Sequence, residues 1–199
     1  MTLTQPALAL IEFDSIAAGI EAGDAMAKKA PVAHIIAGTV HRGKYLVLVA
    51  GAVADVEESY RAGLAAGASA VVDSVLLPGV HPDVVDAVST QRRPEPIDAL
   101  GVVETRTVAG AIAAADAGIK GAEVNLLEVR LADGLGGRGL VLFSGLVHDV
   151  EAAVRLGTDV ISGTSSLLHA VVIPRLHPEM ADNLLRDTRW RPHAVSLRS

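Results

Sequence analysis

The chain has no cysteine, which excludes disulfides, zinc–thiolate sites, iron–sulfur ligation and any thiol nucleophile. Aromatic residues are nearly as scarce, with one Trp, two Tyr and two Phe in 199 residues. Half of the residues are nonetheless hydrophobic, so a core has to be filled by Ala, Val, Leu and Ile, which favours small helices on small sheets. Concentrated positive charge is also missing. The net charge is -6 and Lys and Arg are scattered, without the basic stripe that a phosphate backbone requires, so nucleic acid is not an expected partner. No apolar run reaches the ~18–20 residues that span a bilayer, and MTLTQPALAL lacks the basic start of a signal peptide. No membrane partner is expected, and the expected location is cytoplasmic.

What is present is an internal duplication. Residues 7–32 align without gaps on 99–124 at an offset of 92, with 11 of 26 positions identical, far above chance. GKYLVLVAGAVADVE (43–57) matches GRGLVLFSGLVHDVE (137–151) at an offset of 94, and VLLPGVHP (75–82) matches VVIPRLHP (171–178) at 96. Each step adds two residues to the second copy, near 132–136 and between 152 and 170, positions expected in loops or at helix ends. STQRRPEPID (89–98), rich in Pro and charge, reads as a linker between a first domain, 7–88, and a second, 99–185, with a tail at 186–199.

Within each copy the order reads β-α-β-β-α-β-α. LALIEF and LGVVET are strand-length apolar runs, followed by Ser15 and Thr107 as helix N-caps. In the helix after Ser15, Ile16, Ile20 and Ala27 keep helical spacing on one side, and Asp24–Lys28 forms an acid-before-base pair that Asp116–Lys120 repeats. VAHIIAG and KYLVLVAG read as a hairpin turning at Gly43. A second helix has Asp55 or Asp149 in its first turn and ends at glycine, and a fourth strand is closed by proline. HPDVVDAV and HPEMADNL then start short helices with Pro just inside the first turn. Four strands with two helices on one face make a small α/β sandwich with a ferredoxin-like layout.

ALGVVETRTVAGAIAAADAGIKGAEV, GLGGRG, GLVHDVEAAV and VVIPRLHP, in this order and spacing, resemble the bacterial microcompartment shell domain. ALALIE, DAMAKKA, GKYLVLVAG, VADVEE and VLLPGVHP carry the same resemblance in weaker form through 7–88. Two such domains in one chain are similar to the tandem-domain, trimer-forming shell proteins, of the propanediol-utilisation type. The resemblance implies a pseudohexameric homotrimer that tiles with other shell proteins around metabolic enzymes, placing the chain in the microcompartment shell. It also implies a threefold pore for small metabolites, a structural role in place of catalysis, and no cofactor.

The same resemblance assigns the pore lining to the turn between the second and third strands. Here that is Gly38, Thr39, Val40, His41, Arg42 and Gly43 in the first copy, and Asp133, Gly134, Leu135, Gly136 and Gly137 in the second. In the propanediol-utilisation type a cysteine aligned with His41 implies an iron–sulfur cluster, which this chain has no residue to ligate. Three converging His41 imidazoles are a candidate for a divalent metal or an anion, against the plainer reading of polar residues on an exposed turn that set pore size and charge. A ring of His41 and Arg42 is expected to favour anions. Lys28, Lys120 and Arg175 match tile-edge positions of the family, whereas Gly79 and Leu176 depart from the arginine and proline expected there.

Three other features have structural explanations. GLGGRG is followed by LVLF, not by the helix that a dinucleotide fingerprint requires. Glu12 and Glu104 recur at equivalent strand ends through duplication, and His81-Pro82 and His177-Pro178 read as helix starts without an acid or hydroxyl nearby for a triad. No nucleophile–base pair, metal cluster or phosphate loop supports an enzyme. The alternative to a shell protein is a trimeric regulatory α/β protein that binds a small molecule between subunits.

Overall fold

The computed structural model describes residues 7–89 and 97–189. Most of the linker and the end of the tail, including Trp190 as a candidate anchor, lie outside the described residues. The first half comprises β1 (Ala7–Phe13), α1 (Ile16–Lys29), β2 (His34–Val40), β3 (Lys44–Gly51), α2 (Val53–Gly67), β4 (Val71–Leu77) and α3 (Pro82–Ser89). The second repeats this order as β5 (Ala99–Thr105), α4 (Val108–Gly121), β6 (Asn125–Leu131), β7 (Gly139–Gly145), α5 (Val147–Val160), β8 (Leu167–Ile173) and α6 (Pro178–Arg186). The sheets run β2-β3-β1-β4 and β6-β7-β5-β8 with every pairing antiparallel, the expected ferredoxin-like layout.

The alternation along β1 explains the layering. Ala7, Ala9, Ile11 and Phe13 face α1 and α2, packing with Ala22, Met26 and Val56. Leu8 and Leu10 point to the other face and are equally buried, in a cluster with Val80 and Val84. A central strand buried on both faces needs cover on each side: α1 and α2 lie in front of the first sheet, whereas α3 packs against β6 of the second half, and α6 places Leu184 against Leu100 and Leu142 behind the second sheet. The expected helix starts are present. Ser15 Oγ accepts from the Ala18 amide at 3.3 Å, and Thr107 Oγ1 from that of Gly110 at 3.2 Å. His81 Nδ1 accepts from the Asp83 amide at 3.2 Å, and His177 Nδ1 from that of Glu179 at 3.3 Å.

One local expectation is corrected. Helix α5 does not stop at Gly157 but continues to Val160, because that glycine serves helix packing: a Cβ there would fall 2.8 Å from the Ala114 carbonyl oxygen. Ile16, Ile20 and Ala27 lie on α1 as expected and are exposed, while the helix buries Gly19, Ala22, Gly23 and Met26.

Behind the first sheet lies an apolar cavity of about 440 Å³, lined by residues including Leu10, Ile36, Gly38, Leu48, Val85 and Val88. The second sheet has no matching register here, since β6 shifts against β7 between Leu126 and Glu128. The extra residue, Leu127, turns into a cluster with Leu100, Leu142 and Leu184.

Candidate functional site

The two predicted pore turns meet. The first is shorter than expected, because Gly38, Thr39 and Val40 belong to β2, paired with Leu46, Tyr45 and Lys44, and only His41, Arg42 and Gly43 form the turn. Arg42 and Gly43 both take left-handed backbone, φ 68° and 72°, which closes the hairpin tightly and is unusual for arginine. The second turn, 132–138, is longer and is folded on itself by bonds from the Ala132 amide to the Arg138 carbonyl, 2.8 Å, and from Leu135 to Ala132, 2.9 Å. Gly134, Gly136 and Gly137 all have positive φ.

Side chains of the first turn grip the second. His41 Nδ1 accepts the Gly134 amide at 3.0 Å and lies 3.3 Å from Asp133 Oδ1. Accepting at Nδ1 places the proton of a neutral ring on Nε2. Lys44 Nζ donates to the Gly137 carbonyl at 3.3 Å, and a Cβ on Gly136 would fall 3.5 Å from Arg42 Nε. The site thus presents an arginine and a histidine beside an aspartate, on glycine-rich backbone from both halves. Within one chain, no group of three His, Cys, Asp or Glu among the described residues is arranged to hold a metal ion.

Beneath the turns is a polar latch that sequence reasoning missed. Glu12, fully buried, binds Lys44 through Oε1 and accepts the Val108 amide through Oε2 at 2.8 Å. Val108 opens α4, so the carboxylate sits at the positive end of a helix belonging to the other half. Two further bonds join the halves: Thr107 Oγ1 donates to Asp73 Oδ2 at 2.6 Å, and the His81 amide donates to Asp116 Oδ1 at 2.8 Å. The only hint in the sequence was that a basic residue, Lys44 or Arg138, recurs with each strand-end glutamate. Glu104 does pair with Arg138, at 2.9 Å, but among the described residues no helix start lies over it.

The expected edge residues are dispersed. Lys28 lies in the last turn of α1, exposed and 2.5 Å from Asp24. Lys120 holds the corresponding place in α4, 2.5 Å from Asp116, whose carboxylate is buried. Arg175 and Gly79 are both exposed after their strand-ending prolines.

This duplicated architecture, with its two hairpin turns held together at one end, is matched by the BMC domain family model at residues 7–80 and again at 99–176. The chain belongs to the BMC domain family and carries the domain twice. Over 174 residues it is 37% identical to the bacterial microcompartment shell protein PduT of Citrobacter freundii, covering 87% of this chain and 95% of that one. The carboxysome shell protein CsoS1C of Halothiobacillus neapolitanus is 42% identical over 88 residues, 44% of this chain and 87% of its own. Among solved structures, a microcompartment protein from Desulfitobacterium hafniense DCB superposes with a TM-score of 0.79 at 41% identity, covering 92% of this chain and all of that one. A fused permuted hexameric shell protein of the RMM microcompartment, at 20% identity and a TM-score of 0.61, shares the fold over 82% of this chain and 87% of that one. The protein is a tandem-domain microcompartment shell protein similar to PduT.

Proposed function

We propose that three copies of the chain close into a flat disc, that discs tile with other shell proteins through edges carrying Lys28, Lys120 and Arg175, and that the turns at 38–43 and 133–137 surround a central passage for small metabolites. The observation that carries this reading is the meeting of the two turns, from opposite halves, at His41–Gly134 and Lys44–Gly137. Threefold repetition of that meeting lines an axis with alternating arginine-bearing and glycine-rich turns. In such a ring Asp133 lies beside each His41, which leaves Arg42 as the main source of positive potential, and polar or anionic molecules pass more readily than cations. The work of the protein is then barrier and passage, not catalysis.

Light scattering of the purified chain should give the mass of three copies, and electron microscopy should show hexagonally packed discs. For the pore, reconstituted shells should admit a small anion faster than a cation of matched size, and Arg42→Glu should reverse the order. Equal rates in wild type would sink the electrostatic part of the reading.

A further inference from the structure

The second half fills a space that the first half leaves open. Leu8, Leu46 and Leu48 behind the first sheet have Leu100, Leu140 and Leu142 at the same places behind the second, so the two floors match. What stands on them differs. In the second half Leu127, admitted by the register shift, and Leu184 of α6 close on Leu100 and Leu142. In the first half β2 pairs with β3 without a shift, so no residue corresponds to Leu127, and Val88 stands where Leu184 does. Gly38, paired with Leu46, takes the place of Arg130, paired with Leu140. One missing leucine, one shortened side chain and one bare position leave the cavity of about 440 Å³. Helix α3, which contributes Val85 and Val88 to the lining, is held on β6 and by the His81–Asp116 bond, so it does not settle onto the first sheet to close the gap.

The lining states what belongs there. It has no Asp, Glu, Lys, Arg or aromatic residue among the described residues. A bound water needs about two to four polar partners, which aliphatic walls do not offer. The Ser89 hydroxyl is already spent on the Val85 carbonyl, and the His34 ring, at the far end of β2 from the pore turn, has no partner among the described residues. The seven residues of β2, His34–Val40, extend roughly 20 Å, a length that suits an extended chain better than a compact ring. The second half shows the chemistry that fits, because aliphatic side chains occupy the same space there. We infer that the first half binds a small uncharged molecule with an unbranched aliphatic chain of about eight carbons and one hydrogen-bonding group. The chain lies against Leu10, Ile36 and Leu48, and the polar group meets His34. The site lies within one chain and needs no second copy, so it goes beyond the disc and its pore.

Calorimetric titration of the full chain with n-octanol tests this. Binding should saturate at one molecule per chain with a Kd on the order of 10–100 µM. The diol of the same length, polar at both ends, should bind about tenfold more weakly or worse, because one hydroxyl is left among aliphatic walls. Gly38→Leu, at a position where a Cβ meets nothing within 4 Å, puts a leucine into the cavity and should abolish the binding heat. Val88→Leu, which restores what the second half has at Leu184, should weaken binding by about tenfold. His34→Ala should narrow the difference between the alcohol and the diol. Methyl NMR of the wild-type chain keeps the test open if Gly38→Leu folds poorly: octanol should shift Ile36, Leu48 and Val88 and leave Leu127 and Leu184 unmoved. No saturable heat, octanol binding that survives Gly38→Leu, or shifts centred on Leu127 and Leu184 overturns the inference. So does a folded Gly38→Leu chain that no longer associates where the wild type does, since a second copy would then be the occupant.

Discussion

Helices α1 and α4 have the same length, the same kind of hydroxyl cap and the same Asp–Lys pair four residues apart, yet α1 buries four residues and α4 buries ten. The difference comes from their neighbours. Helix α4 lies on its own sheet and also against β4 of the first half, where Val108 and Ile112 gain about 1.5–3 kcal/mol each by leaving water. Helix α1 packs within its own half, on α2 and its own sheet. Helical periodicity reveals which residues share a face, but only the surroundings determine whether that face is the core, an inner seam or an open surface.

The comparison can be broken most severely at the latch. Glu12→Ala leaves Lys44, itself only 17% exposed, without its partner and removes the anion at the start of α4. Unfolding in urea should show a loss of about 3–5 kcal/mol. Glu104→Ala, acting on a half-exposed pair in the same chain below its association range, should cost less than about 1 kcal/mol; equal losses would show that burial is not what separates the two.

Exchanging residues between the halves sharpens the contrast. Gly110→Ala installs what the first half has at Ala18, but the new Cβ would fall 1.8 Å from Ser166 Oγ, so a loss of about 1–3 kcal/mol is expected. Adding Ser166→Ala, which matches Ala70, should recover part of that loss, and a double variant as unstable as the sum of the singles would speak against the clash. Ser144→Ala works in the opposite direction. Its hydroxyl is buried without a partner among the described residues and the first half has Ala50 there, so thermal unfolding should report a gain of about 1 kcal/mol. The smallest effect is expected from Gly38→Ala, in the strand beside the first-half cavity, where a Cβ meets nothing within 4 Å. There the gain should be about 0.5 kcal/mol, and a loss would mean that the space is already filled.

Much of this was legible in the sequence because it is local. The strands, the caps at Ser15 and Thr107, the histidine–proline helix starts and the longer second hairpin all follow from residues a few positions apart. What was not legible depends on residues far apart in the chain. Glu12 acts on an amide 96 residues away. Gly157 marks a close approach between helices and not a helix end, a distinction that composition does not carry. Gly38, Thr39 and Val40 belong to β2 because the hairpin boundary is set by the ladder to β3, which has no sharp signal before Arg42 and Gly43. The shift that admits Leu127 likewise has no local signature, since Leu126 and Leu127 read alike until one of them turns behind the sheet.

The resemblance between α1 and α4 also makes them rivals during synthesis. The first half leaves the ribosome before the second, presenting the seat beside Glu12 before α4 exists to fill it. Any α1 from a neighbouring chain resembles the missing helix closely enough to compete. Once α4 emerges, the connection from Ser89 to Ile97 holds it at an effective concentration on the order of millimolar, a level that a free chain's α1 does not reach. The join between the halves therefore decides which of two similar helices takes the buried seat, and leaves the other to find its place outside.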